Sequence, residues 1–223
     1  MDFRIEKASP SDAEAIAAVI QTCYETLKQK EWYIPDNADY IRDLLAPPQT
    51  YDETGNPVPQ NSALPAPPQA YDETGNPVPQ DSALPAPPQT YEETLPGKGL
   101  HGIAYKAISM DNGELAGIFT VAFPGDGPKS MGYDIGFCPE QCRQLAHMDS
   151  AAVLPQFRGF QLQYRLMAAA EEELRRMGFR YLAATVHPDN HASKGTMLRL
   201  GYLVMATKEK YNGNLRHIML KAL

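Results

Sequence analysis

A helix N-terminus leaves its first amides without partners and carries a partial positive charge, so a turn that runs straight into a helix can hold a pyrophosphate. The stretch "VLPQFRGFQLQYRLM", Val153 to Met167, has that layout. An apolar segment reaches Pro155, an Arg-Gly pair follows, and an amphipathic helix pattern begins at once. The amides from Gly159 through Phe160, Gln161, Leu162 and Gln163 to Tyr164 form the expected phosphate cradle, with Arg158 adding charge beside it. Gln161 and Gln163 stand where such a turn is ordinarily bare. Because the first turn of a helix has negative φ, no backbone angle is expected to exclude Gln161; the expected cost is crowding by its Cβ and side chain. Gln161 is then expected to swing aside and offer its amide NH₂ to a phosphate oxygen, and Gln163 to pack against the helix or the ligand's edge. The competing phosphate motifs GxxxxGK[ST] and GxGxxG do not occur in the sequence.

The elements that must position this turn alternate between the two periods. "FRIEKAS" reads as a strand, and a helix opened by Ser9 or Ser11 with Pro10 runs through "SDAEAIAAVIQTCYETL". Asp36 or Asn37 opens a second helix in "NADYIRDLLA". "HGIAYKAISM" and "ELAGIFTVAF" flank Asp111-Asn112-Gly113, a hairpin signal. "AHMDSAAV" is a fourth strand, followed by the long helix from about Phe160 to Met177. "YLAATVHP" is a fifth strand and "DNHASKGTMLRLG" a short helix with Asn190 near its cap. "YLVMATKEKY" and "LRHIMLKAL" form a closing hairpin around Asn212-Gly213. The predicted fold class is α/β, a mixed sheet of about seven strands with about four helices.

Between these elements the chain repeats itself. "APPQTYDETGNPVPQNSALP" begins at Ala46, "APPQAYDETGNPVPQDSALP" at Ala66, and a truncated "APPQTYEETLPG" at Ala86. Thirteen of the 20 prolines lie here, and the polar remainder has little to bury, so extended or disordered structure is expected. Two or so copies are too few for a solenoid. Pro65 and Pro68 form a bare PxxP, the pattern of a ligand for a proline-recognising domain; the alternative is a loop lengthened by duplication. Residues 46–96 are therefore read as an insertion in a single domain spanning 1–223. Without it roughly 170 residues remain, enough for one substantial core.

Composition excludes other classes. A net charge of -7 argues against nucleic-acid partners, which require a basic surface. No apolar run approaches the ~18 residues of a membrane span, and "MDFRIEKASP" does not have the layout of a signal peptide. The three cysteines suit a reducing cytoplasm. Cys138 and Cys142 share "CPEQC", but no further ligand stands at metal spacing beside them, so half-buried thiols and no metal are expected.

The order of elements, with a V-x-P strand end feeding an Arg-Gly turn and a helix, resembles the GNAT superfamily of N-acetyltransferases. The resemblance covers residues 2–45 and 100–223. The acyl-CoA motif of that family is [RQ]-x-x-G-x-[GA] after V-x-P. Val153, Pro155 and Arg158 match it, and its two small positions fall on Gln161 and Gln163. The family's N-x-x-[AS], followed by Gly and an aromatic after the next helix, is matched by Asn190, Ser193, Gly201 and Tyr202. "HMDSAAVLPQFRG", "ATVHPDN" and "LGY" are together similar to a set of bacterial members.

The resemblance implies the acyl-CoA N-acyltransferase fold and direct acyl transfer from acetyl-CoA to a primary amine, small-molecule or peptide. In such a fold the fourth and fifth strands splay apart and the pantetheine arm pairs with the edge of the fourth. A backbone amide there polarises the thioester carbonyl. Pro155 has no amide hydrogen, which leaves Val153 or Leu154 as donor. Asn190 and Ser193 fall at the pantetheine-binding positions. Some relatives carry a Glu six residues before the Val of V-x-P; that position is His147. Alternation puts Asp149 on the same face, so His147, Asp149 or a water relayed from either is the expected base. The Tyr that many relatives use to protonate the thiolate falls on Met197, leaving Tyr211 or Tyr133 as substitutes. Tyr202 is read as core, and His187 and His191 as local surface or supporting groups. Trp32, Tyr33 and Tyr211 are candidate walls of the acceptor site.

The expected protein is thus a cytoplasmic N-acetyltransferase, monomer or homodimer. Two rivals stand beside it: a degenerate acyl-CoA-binding sensor, and an interaction protein working through its proline repeats.

Overall fold

The computed structural model describes residues 1–47, 102–211 and 213–223. The proline-rich repeats and Asn212 of the closing hairpin lie outside the described residues.

Seven strands form one mixed sheet in the order β1-β2-β3-β4-β5-β7-β6. They are β1 (Phe3–Lys7), β2 (Gly102–Ser109), β3 (Leu115–Ala122), β4 (Leu145–Val153), β5 (Tyr181–Val186), β6 (Leu203–Lys210) and β7 (Asn214–Ala222). Every neighbouring pair is antiparallel except β4 and β5. Among the described residues five α-helices interleave with them: α1 (Ala13–Glu25), α2 (Ala38–Leu45), α3 (Pro139–Cys142), α4 (Leu162–Arg176) and α5 (His191–Arg199). The count exceeds the expected four by α3, a single turn inside "CPEQC" that begins with Pro139.

Helical periodicity accounts for the packing. Ala13, Ile16, Ile20 and Cys23 recur along one stripe of α1 and are buried, with α1 packed on β3 and β4. Leu162, Leu166, Met167, Ala170 and Leu174 make the buried stripe of α4, which packs on β2, β3 and β4. Tyr202 of "LGY" is wholly buried, as expected of a core residue.

Two departures from regular pairing shape the centre of the sheet. The parallel pairing of β4 with β5 runs only from Leu145 opposite Tyr181 to His147 opposite Ala183. Beyond His147 the two strands separate, and the edge of β4 from Met148 to Val153 is left unpaired on that side. The second departure is a bulge: Phe119 faces Ala151 but Val121 faces Met148, so Thr120 alone opposes both Asp149 and Ser150. The Thr120 hydroxyl accepts the Ser150 amide at 2.9 Å in place of a ladder bond.

Candidate active site

The turn after β4 has an unexpected backbone. A 3-10 turn covers Pro155–Phe157, Gly159 has φ 89°, and Gln161, the residue that caps α4, has φ 56° and ψ 27°. Gln161 is therefore in the left-handed region, not in a first helical turn with negative φ. The expectation that its backbone angles would be ordinary is corrected: α4 starts at Leu162, two residues later than the pattern suggested, with the Arg165 amide donating to the Gln161 carbonyl. A motif glycine suits this position because its backbone is left-handed, in addition to any crowding.

The six amides from Gly159 to Tyr164 have no hydrogen-bond partner among the described residues. Such a run of unmatched donors, backed by the dipole of a 15-residue helix, is suited to an anion. The side chains of this turn stabilise it. The Phe160 ring lies 5.3 Å from that of Phe3, and Leu162 is in the core. The Arg158 guanidinium turns back, with Nε donating to the Val153 carbonyl at 3.2 Å and Nη2 reaching Thr26 Oγ1 at 3.5 Å. Its charge therefore braces the turn against the end of α1. Gln161 is exposed, whereas Gln163 donates from Nε2 to Ser193 Oγ at 2.9 Å. That bond ties the first turn of α4 to the first turn of α5. Asn190 caps α5, its Oδ1 accepting the Ser193 amide at 3.2 Å, which leaves its NH₂ as a donor. Tyr164 is half-buried under Arg199, 5.3 Å from its ring.

The two candidate oxyanion donors separate cleanly. The Leu154 amide donates to the Ala116 carbonyl of β3 at 3.0 Å, so it is already engaged, and Leu154 is corrected as a donor. Since amides alternate between the two edges of an antiparallel strand, the Val153 N–H points away from β3, on the side where its backbone meets the Cys23 thiol of α1.

Contacts separate the expected bases. The bulge lies beyond His147 and sets Ser150 beside Asp149 opposite Thr120. His147 is buried and its Nε2 accepts the Met131 amide at 2.9 Å. Burial first, and then the charge of Lys210, depresses its pKa to about 3, against a smaller opposing effect of Asp134. The ring is thus neutral, with its one lone pair occupied and its proton on Nδ1. His147 as base is corrected to a structural role: it satisfies the backbone of the β3–β4 loop.

Asp149 lies elsewhere. It is exposed on the stretch of β4 that β5 leaves unpaired. Its Oδ2 accepts the Tyr40 hydroxyl of α2 at 2.6 Å. Its surroundings raise its pKa, while the Tyr40 bond opposes that rise. Ser150, re-aimed by the bulge, donates from Oγ to Asp36 Oδ2 at 2.5 Å. Asp36 is raised from 3.8 to about 6, by burial first and then by the charge of Asp149. The Tyr33 hydroxyl is buried with no hydrogen-bond partner among the described residues, and it senses Ser150, Asp36 and Asp149. On the β5 side, the Tyr211 hydroxyl lies 3.2 Å from Thr185 Oγ1, and Tyr211 has φ 52° at the tip of the closing hairpin. Tyr40 senses both Asp149 and Tyr211. Two expected catalytic residues therefore flank the open end of the splay, Asp149 from β4 and Tyr211 over β5, while His147 sits apart from them against Met131.

The other substitute falls away: the Tyr133 hydroxyl donates to the Asp126 carbonyl at 2.8 Å, and Met197, at the position of the relatives' Tyr, is buried in the core. Trp32 stacks on His187 at 5.9 Å between ring centres. Among the described residues no group of three or more His, Cys, Asp or Glu could hold a metal ion, and no helix is long and apolar enough to cross a membrane. Asp36, Tyr40, Ser150 and Thr185 were not singled out in the sequence. Asp36 was read only as a possible helix cap, a part that Asn37 plays, accepting the Tyr40 amide at 2.8 Å.

The splayed β4–β5 pair, the glycine-containing turn and the helix behind it define an acyltransferase fold, and the sequence comparison agrees. The family model for the acetyltransferase (GNAT) family matches residues 78–202, more than half of the chain. The chain belongs to that family. Among solved structures, an acetyltransferase of the GNAT family from Streptococcus pneumoniae is similar at a TM-score of 0.58 and 16% identity, over 100% of this chain and 99% of that one. A GCN5-related N-acetyltransferase from Kribbella flavida gives 0.56 and 17%, over 99% and 98%. The protein yncA from Salmonella typhimurium, solved with its cofactor acetyl-CoA, gives 0.55 and 15%, over 100% and 94%. At these identities the likeness is one of fold. No curated protein matches the chain in sequence.

Proposed function

We propose that this chain is an acetyl-CoA-dependent N-acetyltransferase of the cytoplasm that acts on a primary amine. The observation that carries the reading is the run of six unpartnered amides from Gly159 to Tyr164, placed beside an unpaired β4 edge. Those amides fit the pyrophosphate of CoA, and the unpaired edge fits the pantetheine arm as an added strand. The Asn190 NH₂ adds a donor on the far side of the gap. Acetyl-CoA supplies an activated acyl group as a thioester; the remaining steps fall to the protein.

Asp149 accepts the proton that the attacking ammonium must lose, since only the free amine has a lone pair. Its raised pKa makes it a better base than an ordinary carboxylate. The Val153 N–H donates to the thioester oxygen as negative charge develops there. When the C–S bond breaks, the nitrogen sheds its second proton, which passes by way of Tyr211 or water to the sulfur, and the acetyl group remains on nitrogen as an amide. A free thiol ionises near pH 8.5, so that last donation assists but is not obligatory.

The reading is tested by following thiol release from acetyl-CoA with a panel of amines. Amine-dependent release supports it. CoA binding without release from any amine favours the sensor, and absence of both refutes the CoA site.

A further inference from the structure

The acceptor side of the cleft contains more negative charge than the reaction needs. One carboxylate, Asp149, suffices to take the amine's proton. Asp36 is a second, and its placement is not explained by capping, because Asn37 caps α2. Asp36 instead turns inward onto Ser150 Oγ, on the strand residue next to Asp149.

Neither carboxylate forms an ion pair or a hydrogen bond with a Lys or Arg among the described residues. The groups facing them are Ser150 from β4, Tyr40 from α2, and Tyr33 from the segment before α2, with Cys23 reaching them only through Tyr33 and Tyr211 only through Tyr40. The guanidinium of Arg216, over the Tyr211 ring, is committed to the carbonyls of Leu215 and Glu31. Two like charges in a cleft without a counter-ion are costly, and a cation brought by a ligand relieves that cost. The buried Tyr33 hydroxyl senses the charge of both carboxylates and lies within reach of Ser150, so it lines the same group of side chains. A monoammonium acceptor matches Asp149 and leaves Asp36 uncompensated. A second ammonium matches Asp36.

Resting on the acetyltransferase reading, we infer that Asp36 is a specificity-determining residue that selects acceptors of the alkyl diamine class over monoamines and over amino acids. The reacting end is held at Asp149 and the distal ammonium at Asp36. The distal ammonium keeps its proton throughout, so only the reacting nitrogen passes a proton to Asp149 and forms the amide.

The test uses the full chain and three acceptors of equal length: 1,4-diaminobutane, butylamine and 4-aminobutanoate. The native protein is expected to favour the diamine over butylamine in kcat/KM by at least about tenfold near neutral pH, with 4-aminobutanoate poorest. Asp36→Asn should reduce that preference to about threefold or less, chiefly by raising KM for the diamine, with CoA affinity by calorimetry unchanged. Asp36→Ser, which removes the carboxylate in a smaller side chain, should do the same; melting curves establish that both variants fold. Equal use of diamine and butylamine by the native protein, or a preference that survives in both variants, overturns the inference and leaves the acetyltransferase reading intact. If CoA binds but no amine turns over, titration of 1,4-diaminobutane into the CoA-bound native and Asp36→Asn proteins reads the site directly. Tighter binding by the native protein upholds the inference; equal or absent binding overturns it.

Discussion

Replacing Gln161 by glycine probes the strained cap of α4 and the CoA site in one variant. With φ 56° and ψ 27°, Gln161 occupies a conformation that costs an ordinary L-residue about 1–2 kcal/mol. Glycine avoids that cost but gives the unfolded chain more freedom, worth about 0.4–1 kcal/mol in the opposite direction. The balance is a stabilisation of about 0.5–1 kcal/mol, or a rise in Tm of roughly 1–4 °C for a domain of this size. Gln161→Ala is the control, because it removes the side chain and keeps the strained angle. It should gain nothing. Urea unfolding followed by circular dichroism separates the two, with calorimetric titration of CoA into each. Because the amides and the helix dipole remain, Gln161→Gly should change CoA affinity by about tenfold or less, roughly 1.4 kcal/mol. Gln161→Glu should weaken it by more, since it puts like charge beside phosphate. A glycine variant no more stable than the alanine variant would show that the backbone angle is not the source of strain. Binding absent in the native protein and restored by glycine would show that the glutamine closes the site.

Three further outcomes follow from the geometry. His147→Ala leaves the Met131 amide unpaired and should cost about 1–3 kcal/mol of stability, while the pH–rate profile keeps its shape; a lost limb in that profile would return His147 to the role of base. Asp36 binds its proton more tightly folded than unfolded, so native stability should fall as pH rises from about 4 to about 6. At about 1.4 kcal/mol per pH unit the fall is at most roughly 3 kcal/mol; Asp36→Asn should be the more stable protein above that window and not below it, and equal urea midpoints at both ends would contradict the burial of this charge. Deleting residues 46–96 should leave Tm within a few degrees and unfolding cooperative; a broadened transition would mean that the repeats belong to the core.

The parts of the site that depend on local sequence were legible. Arg-Gly after an apolar strand, running into a helical stripe, marked the amide cradle because a helix start is a local event. The unmatched donors fall on the same six residues. What failed depended on tertiary structure. Period-two reading placed His147 with Asp149, but it could not show that the His147 ring is taken by the Met131 amide, and nothing in "AHMDSAAV" announces the bulge that sets Ser150 beside Asp149 opposite Thr120. Asp36 and Asn37 are both good caps, so sequence alone could not say that Asn37 takes that part and frees Asp36 for Ser150. Leu154 and Val153 were equivalent until the register of β3 showed which amide is engaged. The left-handed angle of Gln161 was hidden because the hydrophobic pattern does not fix where a helix begins to within one residue. The four-residue α3 is too short for any period to show.

The most direct test of the account follows free thiol as the native protein and Asp149→Asn meet acetyl-CoA and a primary amine, with CoA affinity measured in parallel. The account predicts amine-dependent thiol release by the native protein. It predicts a loss of about 10²–10⁴-fold in kcat for Asp149→Asn, with CoA affinity essentially unchanged. Equal turnover by the two proteins would remove Asp149 as the base, and no amine-dependent release by the native protein would contradict the acetyltransferase itself.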